Sequence, residues 1–398
     1  MKMKKELRKF IALAMVVSLP IMSVGCTKDT STKDSGASNS VAESYDPGST
    51  MKLQFAKNFK IDYLKDGMKI VTDGQGKQLL LLQKDQEAPE QYKDLPSVTI
   101  PLKDAIFTST TQVAYLRAFE DDSVFDSIVG VRATKDDWNF DAMKTRMESG
   151  QIKDIGSNTM TDMNYDYEVI QSLNPKMVFT TQGMGTEQQK LMDMLNGSNI
   201  PYVFDASSTE DDYRGTMEWM KLYSAFYNLE EEAQKDFDKA IKNVDEMKET
   251  VKDAEKPKVG WGIVSMGKVY VENAGSKSAQ MVRDAGAQYL FDDIGVGQDG
   301  VTSISVEELY SRLSDADIFI NRGMPKYGPD KKSITDQAPI LADLECFKED
   351  KVWQITDDFW STYHNIDQKY VDLAAMFHPE LYKDHKVKNF LLMPDVAK

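Results

Sequence analysis

Cysteine is scarce: the 398 residues contain two, Cys26 and Cys346. Cys26 closes an apolar run near the N-terminus and Cys346 sits in a helix-like stretch, Leu-Ala-Asp-Leu-Glu-Cys. No intramolecular disulfide framework follows, so stability must come from packed cores, and a buried inert thiol is the ordinary fate of Cys346. Histidine is nearly as rare, and His364, His378 and His385 all fall within the last 35 residues. There is no Gly-x-Ser-x-Gly, no His-Glu-x-x-His and no phosphate loop, so the parts of hydrolytic triads and zinc hydrolases are missing. The expectation is a protein that is not an enzyme and has no intrinsic cofactor. A bare Zn²⁺ or Mn²⁺ site is disfavoured on the same ground, since such sites usually draw several histidines together with carboxylates. Positive charge is short as well: 48 Lys and Arg face 64 Asp and Glu, a net charge of −16. That balance argues against nucleic acid and against electrostatic adhesion to anionic lipid.

What is present begins with a signal. Residues 1–10 carry Lys2, Lys4, Lys5, Arg8 and Lys9 against Glu6, and the apolar run Ile-Ala-Leu-Ala-Met-Val-Val-Ser-Leu-Pro-Ile-Met follows. The run is too short for a stable membrane span and reads as a secretory signal peptide. The segment Ser23-Val24-Gly25-Cys26 resembles the lipobox of bacterial lipoproteins, with Ser23 where Leu is usual. The resemblance implies that Cys26 is acylated and becomes the mature N-terminus, the membrane partner being reached through that lipid anchor on the extracytoplasmic face. Residues 27–50, rich in Ser, Thr, Asp and Gly, read as a flexible tether.

Along the rest of the chain the pattern predicts an α/β fold: two Rossmann-like lobes joined by a long rigid backbone helix, with a small N-terminal β extension. Turn signals at Asp66-Gly67 and Asp73-Gly74-Gln75-Gly76 separate short apolar runs and place the β extension over 51–96. Strand-like runs alternating with helical stretches define an N-terminal α/β lobe over 97–208, beginning with Ser-Val-Thr-Ile-Pro-Leu. From 209 to 256 helical spacing continues without proline, which predicts one unusually long helix or two nearly end to end. After Pro257 the strand–helix rhythm restarts as a C-terminal lobe over 257–398, closing on the helix around Gln-Lys-Tyr-Val-Asp-Leu-Ala-Ala-Met-Phe. Residues 1–26 are then the signal peptide and lipobox.

Four motifs occur in order. They are Tyr-Glu-Val-Ile-Gln-Ser-Leu-Asn-Pro-Lys-Met-Val-Phe (Tyr167 to Phe179), Ala274 to Asp293, Ser-Val-Glu-Glu-Leu-Tyr-Ser-Arg-Leu-Ser-Asp-Ala-Asp-Ile-Phe-Ile (Ser305 to Ile320), and Cys-Phe-Lys-Glu-Asp-Lys-Val-Trp-Gln-Ile (Cys346 to Ile355). As a set, over Ser97 to Pro379, they resemble substrate-binding proteins of ABC importers for iron-siderophore complexes, haem and cobalamin, the helical-backbone class of periplasmic binding proteins. Lys176 stands where Asp is usual and Ala316 where Pro is usual. The resemblance implies a monomer that holds a small-molecule metal chelate between its lobes and delivers it to a membrane permease dimer. The ferric siderophore type is the commonest such ligand, with cobalamin or haem as the alternative. A surface sensor or adhesin lipoprotein shares every one of these features except delivery.

In that architecture the ligand meets loops at the strand ends. Candidate contacts are Ser109, Thr110 and Thr111, whose hydroxyls and N–H groups open a helix and suit an acceptor or anion, or simply cap it. Trp138 and Trp360, with Tyr363, offer flat faces to a macrocycle or aromatic chelate, while Trp261 lies in a strand and reads as core. Gln182, Met184 and Met266 come from further loops, as does Met324. Arg322 and Arg132 are cations able to pair carboxylate or catecholate oxygens, or surface acids. His364 lies in a predicted cleft loop, where it would either ligate the iron of an unsaturated chelate or hydrogen-bond at the surface. The motif match further implies that Glu168 and Glu307, one per lobe, dock on arginines of the permease. In isolation either is an ordinary solvated helix carboxylate.

Overall fold

A computed structural model describes residues 45–157, 164–181 and 186–395. Cys26, Gln182 and Met184 lie outside the described residues. The first sheet consists of β1 (Lys60–Tyr63), β2 (Lys69–Thr72), β3 (Gln78–Gln83) and β4 (Ser97–Ile100), in that order. β1 to β3 form an antiparallel meander and β4 pairs parallel with β3. The run of four leucines in β3 fits a strand covered on both faces. Leu79 and Leu81 join the main core, while Leu80 and Leu82 close a small satellite cluster with Met68 and Ile70.

β4 was expected to open the N-terminal lobe, yet it completes this small sheet. A run such as Ser-Val-Thr-Ile reads the same in either sheet, and Pro101, with no N–H to donate, ends it before the lobe begins. The extension is docked, not appended. The Asp73 carboxylate accepts from the N–H groups of Gln75 and Lys77 in its own turn and, at 2.9 Å, from Phe204 in the lobe beyond. A Cβ on Gly74 would fall 2.3 Å from that of Ala206, so only glycine fits the contact.

The N-terminal lobe is built on β5 (Ala105–Phe107), β6 (Ile128–Val131), β7 (Lys153–Asp154), β8 (Met177–Thr181) and β9 (Tyr202–Asp205). Its order is β7-β6-β5-β8-β9 and every pair is parallel. The chain builds outward from β5 on one side, then returns to build on the other, which leaves a crevice at the carboxyl ends of the strands. The C-terminal lobe contains β10 (Lys258–Ser265), β11 (Lys268–Glu272), β12 (Gln288–Tyr289), β13 (Val301–Ile304), β14 (Ile318–Asn321), β15 (Val352–Ile355) and β16 (Phe390–Leu392). β10, β14 and β15 run parallel at its centre, and β11 and β16 add antiparallel pairs.

Between the lobes the helical segment is divided into Tyr213–Glu218, Met220–Ala225 and a 22-residue helix, Glu230–Val251. Asn228 at φ 60° interrupts it, a conformation no right-handed helix passes through. In the long helix Ala233, Phe237, Ala240, Val244, Met247 and Val251 are buried, a stripe of alternating four- and three-residue steps. It packs along the helix Ile366–Phe377, where the Asn243 amide donates to Asp367 at 2.7 Å. Residues 54–58 are strapped across this spine by two buried carboxylates. Glu218 accepts from the N–H groups of Gln54, Phe55 and Ala56 and pairs with the fully buried Lys221 at 2.9 Å. Glu210 accepts from the N–H groups of Lys57 and Asn58 and from the Trp219 indole.

Candidate functional site

A cavity of about 480 Å³ opens between the lobes. Its walls follow the ends of five strands: Thr110 after β5, Arg132 and Asp137 after β6, Asp154 and Asp166 at and after β7, Met324 and Tyr327 after β14, and Asp357 and Trp360 after β15. These are carboxyl ends, the position at which open α/β sheets hold ligands. A larger space, about 700 Å³, is lined by Asp317, Lys351 and His378 and adjoins the opposite ends of β14 and β15.

The two walls differ in chemistry. The N-terminal lobe supplies Asp137, Asp154 and Asp166 with small polar groups, and one buried cation, Arg132. Arg132 donates from Nε to the Thr108 carbonyl at 3.1 Å and lies 4.5 Å from the centre of the Tyr165 ring. Burial lowers its pKa below the ordinary arginine value, though not enough to discharge a guanidinium. The C-terminal lobe supplies Met324, Tyr327 and Trp360, an apolar and aromatic face with Asp357 and Lys326 at its edge. Phe359 holds Trp360 edge-on at 5.0 Å, and the Arg322 guanidinium lies 5.3 Å from the Trp360 ring.

Three contacts cross from one lobe to the other. Lys326 pairs with Asp137 at 3.4 Å, Arg117 donates to the Ser361 carbonyl at 3.0 Å, and Tyr363 stacks on Tyr115. Beneath them Lys369, fully buried, donates to the Phe359 carbonyl at 2.6 Å, and no carboxylate pairs with it among the described residues. Burial pushes its ammonium down to about 7.

Of the residues expected at the site, Thr110, Arg132, Met324 and Trp360 line the cavity. Ser109 and Thr111 do not, because the Ser109 hydroxyl caps the helix Thr110–Leu116 by accepting from Thr111 N–H. Trp138 is buried, 1 % exposed, with its ring edge-on to Phe140, and has no face to offer a ligand. Met266 projects from the tip of the β10–β11 hairpin, 80 % exposed and away from the cavity lining. Arg322 is drawn back to Glu272 at 2.6 Å, so it supports Trp360 rather than facing the cavity. Tyr363 lies between Tyr115 and Tyr213. Burial, then the charges of Arg117 and Lys369, hold His364 well below the usual histidine range, and it lies off the cavity lining. Trp261 is core, and burial pushes the Cys346 thiol up to about 11, too high for a reactive thiolate.

Glu168 and Glu307 are exposed and occupy the same place in their lobes. Each is the second residue of a helix, Tyr167–Ser172 or Val306–Arg312, whose first turn is capped by the Asp166 or Ser305 side chain. Sequence reasoning missed Asp154 and Asp166, because the sheet order that brings β7 beside β6 was not visible, and it did not single out Tyr327 in the loop that also holds Met324.

The family model described as periplasmic binding protein matches residues 106–359, from the second residue of β5 to the aromatic loop of the cavity. The chain belongs to the periplasmic binding protein family. It is a binding protein and not an enzyme. An uncharacterized lipoprotein of Methanocaldococcus jannaschii is 28 % identical to it over 364 residues, 86 % of this chain and 85 % of the relative. The periplasmic haem-binding protein RhuT of Roseiflexus sp. RS-1 superposes with a TM-score of 0.53 at 14 % identity, over 70 % of this binding protein and 99 % of that chain. CeuE of Helicobacter pylori, solved with Ni(II) bound, gives 0.54 at 17 % identity, over 73 % and 88 %. At these identities the likeness to solved structures is one of fold. The family is extracytoplasmic, and among the described residues of this binding protein no helix is long and apolar enough to cross a membrane.

Proposed function

We propose that this protein captures an iron chelate of the ferric siderophore type between its lobes and delivers it to the permease of an ABC importer, held outside the membrane by lipid on Cys26. The observation that carries the reading is the cavity at the strand ends, where Trp360 and Tyr327 face the polar loops of the other lobe. Its volume suits one drug-sized molecule with an apolar face and polar edges. Among the described residues no group of three His, Cys, Asp or Glu is placed to hold a metal ion, which favours an already chelated metal over a bare one. Haem binding by one structural neighbour and nickel in another fit the same class of cargo, and the lipoprotein relative supports the anchor. Glu168 and Glu307, exposed at equivalent helix starts, supply the two permease contacts.

Titration of the mature chain with ferric siderophores, haem and cobalamin, read by tryptophan quenching and the visible spectrum, tests the capture step. Saturable quenching by a ferric siderophore is expected. Tighter binding of cobalamin or haem would reassign the cargo, and no quenching by any of the three would overturn the reading. Delivery is tested in cells: Glu168→Arg with Glu307→Arg should abolish uptake while leaving binding intact, and unchanged uptake would favour a sensor or adhesin.

A further inference from the structure

The charges around the cavity narrow the chelate itself, an inference that rests on the capture of a metal chelate proposed above. Four carboxylates line the cavity, Asp137, Asp154, Asp166 and Asp357, against two cations, Arg132 and Lys326. Lys326 is already matched with Asp137. The other three acids meet no cation among the described residues. Asp154 accepts from Gly156 N–H, Asp166 from Val169 N–H and Asp357 from Lys326 N–H, so backbone donors fix their positions without neutralising them. Residues 158–163 and 182–185 contain one ionisable side chain, Asp162, and no lysine or arginine, so the sequence offers no counter-charge there. What remains for a ligand oxygen is the guanidinium of Arg132, committed on one edge to the Thr108 carbonyl.

We infer that this cavity selects chelates of zero or positive net charge, of the hydroxamate class, and rejects polyanionic ones, with Asp154, Asp166 and Asp357 as the specificity-determining residues. A ferric tris-hydroxamate core is neutral. Its carbonyl oxygens suit a single guanidinium, pendant amides or an ammonium suit the carboxylates, and its methylene chains suit Trp360 and Tyr327. A ferric tris-catecholate is a trianion and brings like charges together at a rim that holds one unpaired cation. Haem, with two propionates, is disfavoured in the same sense.

The test is equilibrium titration of the mature chain at pH 7 with a linear ferric trihydroxamate bearing a free ammonium, a neutral cyclic ferric trihydroxamate and a ferric tris-catecholate, each at low and high salt. Both trihydroxamates should bind about 100-fold or more tightly than the tris-catecholate at low salt, and added salt should narrow the ratio. Asp154→Asn with Asp166→Asn should narrow it by about tenfold, and because asparagine also accepts from backbone N–H the loop geometry survives the change. Catecholate binding as tight as hydroxamate would overturn the charge inference while leaving chelate capture standing. A salt-independent ratio, or one unmoved in the double variant, would overturn the role given to these acids. Failure of every chelate to bind would overturn capture itself and this inference with it.

Discussion

The spine and the mouth of the molecule both place charged side chains in pairs, yet they use them in opposite ways. At the spine Glu218 and Lys221 are fully buried, and the carboxylate also satisfies three backbone N–H groups of the strap over residues 54–56. At the mouth Lys326 and Asp137 are more than one-third exposed, and 3.4 Å apart they make one long contact. Removing one member of a buried, multiply bonded pair strands the other in low dielectric, whereas an exposed pair is screened by water whether it forms or not. The contrast implies a buried seam that fixes the N-terminal strap to the spine and an exposed contact between the lobes that yields to a ligand. Lys369 stands between them: it belongs to the helix that packs on the spine, and it holds the carbonyl of Phe359 behind the aromatic wall.

Breaking the spine should have the largest effect. Glu218→Ala removes the acceptor of the Gln54, Phe55 and Ala56 N–H groups and the carboxylate paired with the Lys221 ammonium. A loss of about 3–5 kcal/mol is expected, measured as a lower urea midpoint. A change below about 1 kcal/mol would mean that the strap is not part of the spine.

An intermediate effect, and one that depends on pH, is expected at Lys369. Its folded-state pKa of about 7 lies below the unfolded value of 10.5. Between those values the unfolded chain binds the extra proton, so this group's contribution to stability improves as pH rises through that window. Below about pH 7 the buried ammonium carries its full desolvation penalty. Lys369→Met removes the titration and orphans the Phe359 carbonyl at every pH. The difference in Tm between variant and parent should therefore be more favourable to the variant at pH 6 than at pH 9. A difference that does not move with pH would show that the ammonium stays charged at both.

Much of this was legible in the chain and some was not, for physical reasons. Alternating strands and helices and the four ordered motifs announced two α/β lobes, and Trp360 was picked out from its loop. The fate of Trp138 was hidden, because a tryptophan in the loop that follows a strand reads alike whether it faces a cleft or, as here, Phe140. Arg322 looked like a free cation because its partner Glu272 is fifty residues away and is brought close by the end of β11. Nothing in the sequence marks Lys369 as buried, because a lysine at helical spacing fits an exposed face, yet its helix is covered nearly all round. Sequence periodicity locates elements, while charge pairing across distant elements is set by the packing of the lobes.

The smallest expected effect is the one that most sharpens the contrast. Lys326→Ala removes the ion pair at the mouth and leaves Asp137 its bonds from the Thr134 N–H and hydroxyl, both at 2.9 Å, so that no buried group is orphaned. Thermal stability should change by less than about 1 kcal/mol. The same change deletes a link between the lobes on the side through which a ligand leaves, so dissociation of a bound chelate, followed by stopped flow, should accelerate by a few-fold. A small change in Tm with faster release is the signature of a mouth that yields while the spine holds. If Lys326→Ala destabilised the chain as much as Glu218→Ala, the two interfaces would be of one kind. Capture would then require the lobes to come apart as a whole.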